Sequence, residues 1–177
     1  MNTTARTPET ITATRYMPGK QQRIDYSPTR ADYQHMDTAL NEAAIAADSG
    51  DSPIGAVLVT PEATFAAHTT EFGDEDLLAH AEMNVYRQAR SVVGRDLSRS
   101  ILYTTAEPCV GCSYILDKGH LGMLMIAASR VDVPDFFRQR NITLKDIWKD
   151  SSRTLTVVSG IRRLQAASLL TADTKRH

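Results

Sequence analysis

At 177 residues, with 42% hydrophobic and 23% charged residues, the chain has the length and composition of one globular domain with some residues left over for an arm. A formal net charge of −1 gives no support to a chain built to coat a polyanion, and no apolar run nears the roughly 20 residues that a membrane span needs, so no membrane partner is expected. The N-terminal stretch lacks the apolar centre of a secretory signal, which makes the cytoplasm the expected compartment and a disulfide between the two cysteines unexpected.

Residues 1–30 are rich in Thr, Pro, Arg and Gln and contain Pro8, Pro18 and Pro28, and they read as a flexible extension before a domain over 31–177. From Ala31 a helical period sets in, with Tyr33, Met36, Leu40, Ala43, Ala44 and Ala47 on one face and Gly50 as the stop. Asp51-Ser52-Pro53 turns into a buried strand over 54–59, and Pro61-Glu62 connects it to a second strand over 64–67 as a hairpin. A polar, carboxylate-rich loop over 69–76 precedes a helix predicted from about 78 to 93. A strand at 101–104, a short helix at 109–118 opened by Pro108, and a strand at 122–127 follow. A short helix over 144–149, a strand over 155–158 and a closing helix over 161–170 complete the chain, and Trp148 and Tyr103 are assigned to the core. This alternation predicts an α/β three-layer α/β/α sandwich on a mixed, largely parallel five-stranded sheet.

Charge is uneven along the chain. Residues 31–137 carry six basic and sixteen acidic groups, whereas residues 138–177 carry nine basic and three acidic ones. The basic C-terminal stretch reads either as a face for RNA phosphates or as a solvated surface that balances an acidic middle.

Two short segments carry the chemistry. His80-Ala81-Glu82 lies near the start of the second predicted helix, and Pro108-Cys109-Val110-Gly111-Cys112 opens the third. Cysteines three apart at a helix start share a face, and the helix N-terminus favours thiolate, the form that binds metal. A redox pair would not explain His80-Ala81-Glu82. One His and two thiolates supply three ligands and leave the fourth tetrahedral position for water, which is the pattern of a catalytic Zn2+ site. Zinc lowers the pKa of its bound water to about 7 in favourable sites. A hydrolytic reaction there also needs a group that moves protons, and Glu82 fits that role.

H-x-E followed by P-C-x-x-C is the signature of zinc deaminases acting on cytosine or adenine rings. His80 to Asn84 and Leu102 to Cys112 resemble the cytidine and deoxycytidylate deaminase superfamily, and Glu107 before Pro108 is similar to its tRNA-adenosine and guanine deaminase branch. The resemblance runs over roughly 31–170 in element order. It implies a cytidine deaminase-like fold, a bound zinc, attack of hydroxide on an amino-bearing ring carbon, release of ammonia, and a homodimer. In that branch an Asn in the loop before the His-bearing helix contacts the base, but here the loop reads Ala67-His68-Thr69-Thr70-Glu71. His68 or Thr69 is expected in its place, with Ala81 beside them, and Phe136 and Phe137 are candidates for stacking on a base, core packing being their alternative. The expected substrate is a free nucleobase or nucleoside. A tRNA adenosine and a non-catalytic zinc-containing binding module are the alternatives.

Overall fold

In the computed structural model, which describes residues 10–134 and 141–172, helix α1 (Arg30–Ser49) is bounded by local chemistry at both ends. Thr29 Oγ1 accepts from the Asp32 amide at 3.2 Å while Asp32 Oδ2 accepts from the Thr29 amide at 2.7 Å, a reciprocal cap. Gly50 ends the helix with φ +87°, a left-handed conformation that glycine adopts without steric cost. Ala39, Ala43 and Ala46 are fully buried, so the helix backbone lies directly on the sheet.

Strands β3 (Gly55–Val59) and β4 (Thr64–His68) form the expected hairpin. Helix α2 (Ala81–Val93) leads to β5 (Ile101–Ala106), α3 (Val110–Lys118) to β6 (Met123–Ala128), and α4 (Leu144–Asp150) to β7 (Leu155–Ser159), and α5 (Arg163–Ala172) closes the described chain. Strand residues alternate between two cores. Leu58, Leu102, Leu124 and Leu155 meet Val85 of α2, Leu116 of α3 and Trp148 of α4 on one face. Val57, Tyr103, Met125 and Val158 meet Met36 of α1 and Leu170 of α5 on the other. The three-layer sandwich follows from that alternation.

Among the described residues the sheet has seven strands rather than the five expected, in the order β2-β1-β7-β6-β5-β3-β4. The two additional strands, β1 (Thr12–Met17) and β2 (Lys20–Ile24), arise within the segment read as an extension, and β1 pairs antiparallel with β7. The reason they were invisible to periodicity is physical. β1 is covered on both faces but places one residue in each core, Ala13 in one and Tyr16 in the other, so no single-face alternation develops. Pro18-Gly19 makes the turn between β1 and β2, with Gly19 at φ +69°. Lys20 and Arg23 line the exposed outer strand, and edge charges of this kind discourage pairing with another chain. The sheet is mixed, but parallel pairing is confined to β5, β6 and β7, and the other four pairings are antiparallel.

Candidate active site

The parallel strands β5 and β6 end at Ala106 and Ala128, and a crevice opens beyond their C-terminal ends, where ligands bind in α/β sheets. Two helix N-termini point into it. His80 is the residue preceding α2, and Cys109 precedes α3 with its sulfur accepting from the Cys112 amide at 3.5 Å. Pro108 ends the extended segment after β5, and the positive ends of both helices favour negative charge at this point.

His80 Nδ1 lies 3.6 Å from Cys109 Sγ and 3.5 Å from Cys112 Sγ, and the three ligand atoms all fall within 4.8 Å of one another. With Zn–S near 2.3 Å and Zn–N near 2.0–2.1 Å, tetrahedral coordination puts nitrogen and sulfur about 3.6 Å apart, so spacing and donor set both fit zinc. The cysteines form no disulfide. A hydrogen bond from Cys112, against burial and helped by His80, pulls the Cys109 thiol down to about 4. The hydrogen bond with Cys109, followed by burial, pushes Cys112 up, and the hydrogen bond with Cys109 carries His80 up to about 9 despite burial. Metal binds the deprotonated forms of these groups, so protons leave the cluster when a metal enters.

His80 Nε2 faces Glu71 Oε2 at 3.5 Å, so the ring nitrogen opposite the sulfurs has a carboxylate beside it, as ligating histidines commonly do. Glu71 sits in a loop that is tied at several points. The buried Asp51 carboxylate accepts from the Phe72 amide at 2.7 Å and the Gly73 amide at 3.2 Å, and Asn84 Nδ2 donates to the His68 carbonyl at 2.9 Å and to Thr70 Oγ1 at 3.0 Å.

Glu82 enters the core from the first turn of α2 and is only 4% exposed. Burial, reinforced by the nearby Cys109 charge, raises its pKa, so the carboxyl takes up a proton more readily than an exposed glutamate does. That is the property required of a group that accepts a proton in one step and returns it in another.

The crevice is a cavity of about 550 Å³ lined by His80, Cys109 and Glu82 together with Thr69, Glu71, Phe72, Glu107 and Arg130, among others. Thr69, one of the two residues expected in place of the Asn, does line it, and its Oγ1 accepts from the Ala81 amide at 3.3 Å. Ala81 is fully buried with that amide engaged by Thr69, and it is not a lining residue. His68 faces elsewhere. Its Nδ1 pairs with Glu42 Oε2 at 2.6 Å beside a second, smaller cavity, because strand alternation turns it away from the crevice that its neighbour Thr69 enters. Phe136 and Phe137 lie outside the described residues. Glu71, Phe72, Arg130 and Ile142 were not singled out from sequence. The available signal was position, since they lie in the loop before the His-bearing helix or beyond the end of a predicted parallel strand.

The family model for the cytidine and deoxycytidylate deaminase zinc-binding region matches residues 29–127. The chain belongs to this family. It is 30% identical over 138 residues to the tRNA-specific adenosine deaminase of Buchnera aphidicola subsp. Schizaphis graminum, covering 76% of this chain and 88% of that protein. It is 42% identical over 89 residues to the tRNA(Ile)-lysidine synthase of Thermus thermophilus, but this covers 50% of the chain and only 17% of that longer protein. Among solved structures, one from a study of A-to-I editing by tRNA:A34 deaminases is 27% identical with a TM-score of 0.61, covering 77% of this chain and 99% of that one. Guanine deaminase from Bacillus subtilis is 28% identical with a TM-score of 0.54, covering 59% and 68%. The zinc-binding deaminase domain and its cytidine deaminase-like fold are therefore common ground for all readings of the substrate.

Proposed function

We propose that the chain is a zinc-dependent hydrolytic deaminase that removes the exocyclic amine of adenosine within a tRNA. The observation that carries this reading is the breadth of the likeness, which spans 88% of a tRNA-specific adenosine deaminase and 99% of a solved chain from the tRNA:A34 deaminase study. The cavity supports it, with the exposed side chains of Phe72 and Ile142 at its lining, where a flipped-out base would find apolar surface.

His80 Nδ1 and the two cysteine sulfurs would hold the zinc, which when bound would supply the Lewis acid that makes water a nucleophile near neutral pH. Glu82 takes the proton from the attacking water and delivers protons to the ring nitrogen and the departing amine, which leaves as ammonia. Intact Glu82 weighs against a non-catalytic zinc module. The homodimer belongs to the same proposal, since Leu77, Leu78, Tyr114 and Ile115 expose apolar surface near α2 and on α3. Sedimentation equilibrium returning a monomer mass at micromolar concentration would remove that part.

The electrostatics lend little support, and the basic C-terminal stretch still reads as a solvated surface as readily as an RNA face. Of the nine basic residues after 137, Arg162 grips Asp37 at 2.7 Å and Arg163 contacts Asp132 at 2.6 Å, while Lys145 and Lys149 share α4 with Asp146 and Asp150. Arg138, Arg140, Lys175 and Arg176 lie outside the described residues. A second reading, a free purine base as substrate, is favoured by Glu71 and Glu107, two carboxylates besides Glu82 in the cavity lining that suit the N–H edge of a base such as guanine.

Ammonia release by the zinc-loaded chain over an anticodon stem-loop RNA, free bases and nucleosides separates the two readings, with Glu82→Gln as the blank. RNA turnover that weakens steeply with salt is expected, because phosphate contacts release counterions. Turnover of a free base with none of the RNA would establish the second reading. Undiminished activity of Glu82→Gln would sink the proton-transfer role under both.

A further inference from the structure

The side chain that holds Glu82 in place comes from the sheet, 22 residues further along the chain. Thr104 Oγ1 lies 3.1 Å from Glu82 Oε1, and both residues are buried, Thr104 at 0% exposure. Thr104 occupies the β5 face that carries Leu102, the face that packs against the α2 and α3 layer. A hydroxyl buried there would be costly without partners. It has a second one in the Ala106 carbonyl oxygen at 3.2 Å.

A hydroxyl has one proton to donate and lone pairs to accept with. Thr104 therefore donates to Glu82 Oε1 when the carboxylate is bare. When Glu82 carries a proton in transit on Oε2, Oε1 is still an acceptor and Thr104 goes on donating to it. Either way Oε1 stays anchored to β5, leaving Oε2 for the cavity that Glu82 lines.

We propose that Thr104 is a positioning residue for the deamination, fixing the orientation from which Glu82 moves protons while touching neither the metal ligands nor the substrate. The inference rests on Glu82 as the proton carrier and holds whichever base is the substrate. Orientation matters because a displacement of about 1 Å in a catalytic group costs up to roughly a hundredfold in rate.

The test compares Thr104→Val, Thr104→Ser and Glu82→Gln in the full zinc-loaded chain, on whichever substrate the wild type deaminates. Zinc content is measured for each variant. Valine keeps the shape and removes the hydroxyl, whereas serine keeps the hydroxyl. For Thr104→Val we expect kcat to fall about 10–100-fold, with KM and zinc content within about twofold of wild type, and for Thr104→Ser we expect recovery to within about threefold. A kcat of wild-type size in Thr104→Val, a change confined to KM, a loss of zinc, or a Thr104→Ser variant as slow as the valine would each overturn the proposal. If Glu82→Gln itself turned over normally, Glu82's role would fall and Thr104's with it. An inactive Glu82→Gln beside a fully active Thr104→Val would overturn Thr104's role alone.

Discussion

Cys109 and Cys112 have the same side chain three residues apart, yet their environments push their thiols in opposite directions, one down to about 4 and the other up. Cys109 is the more accessible and caps α3, while Cys112 is buried in its first turn beside Glu82. Metal binding must strip the proton from Cys112, and that sulfur then completes the ligand set. Cys112→Ala should therefore weaken zinc binding by more than about a hundredfold, beyond the loss of a partner outside the ligand set, and should abolish most of the rise in melting temperature that zinc gives the wild type. Chelator competition and thermal melts in excess zinc check this, and full zinc occupancy in the variant would contradict the ligand assignment. The grouping of His80, Cys109 and Cys112 was legible because the two motifs that carry them are short and their chemistry is specific. Glu71, Phe72 and Thr104 were not, because each gains its role only from a neighbour brought in by the fold: the His80 ring, the Asp51 carboxylate and the Glu82 carboxylate. His68 shows the converse, a suitable side chain that strand alternation points at Glu42.

Among the elements, the seating of α1 on β3 governs how close the first helix comes to the sheet. A Cβ on Gly55 would stand 2.1 Å from the Ala39 carbonyl oxygen and 2.6 Å from the Ala43 amide nitrogen, both backbone atoms of α1. Backbone cannot step aside as a side-chain tip can, so Gly55→Ala must push the helix off the strand. The expected cost is at or above the top of the usual range of about 1–3 kcal/mol for overpacking, read as a fall in the urea midpoint at unchanged slope. A midpoint equal to the wild type would mean that α1 does not sit as closely as described. Helices and inner strands matched their predicted extents to within a few residues, since their apolar residues repeat at the period of one covered face. The β1–β2 hairpin was missed because its two buried residues face opposite ways. Gly160, with φ +109° and the Thr10 carbonyl oxygen 2.4 Å from where a Cβ would be, leaves room for the chain that enters β1.

For the whole molecule, Asp32 ties three parts together. Its carboxylate accepts from Tyr26 on the connection after the hairpin at 3.0 Å, from Tyr103 on β5 at 2.7 Å, and from Thr29 at the start of α1. Burial pushes its pKa up, but the hydrogen bonds from the Thr29 amide, Tyr103, the Thr29 hydroxyl and Tyr26 outweigh it and hold the carboxyl below its ordinary 3.8. A carboxyl depressed in the folded state contributes stability that is present above its unfolded value and is lost as pH falls through the folded one. Asp32→Asn should therefore cost about 1.5–3 kcal/mol near neutral pH, and the gap from wild type should narrow below about pH 4. Urea unfolding of the metal-free proteins at pH 6 and pH 3 measures both, and a gap that did not change with pH would rule out the ionised Asp32 carboxylate as its source.

What the sequence determined by itself was whatever depends on near neighbours: the periods of the helices and inner strands, the turns, and the zinc-and-glutamate signature that marks the chemistry. Tertiary structure alone decided the number of strands, the placement of Glu71 beside His80 and of Thr104 beside Glu82, and the turning of His68 toward Glu42. The physical reason is distance along the chain. His80 meets its sulfurs 29 and 32 residues away and Glu82 meets Thr104 across 22, and such contacts exist only once strand pairing has set every side chain's face.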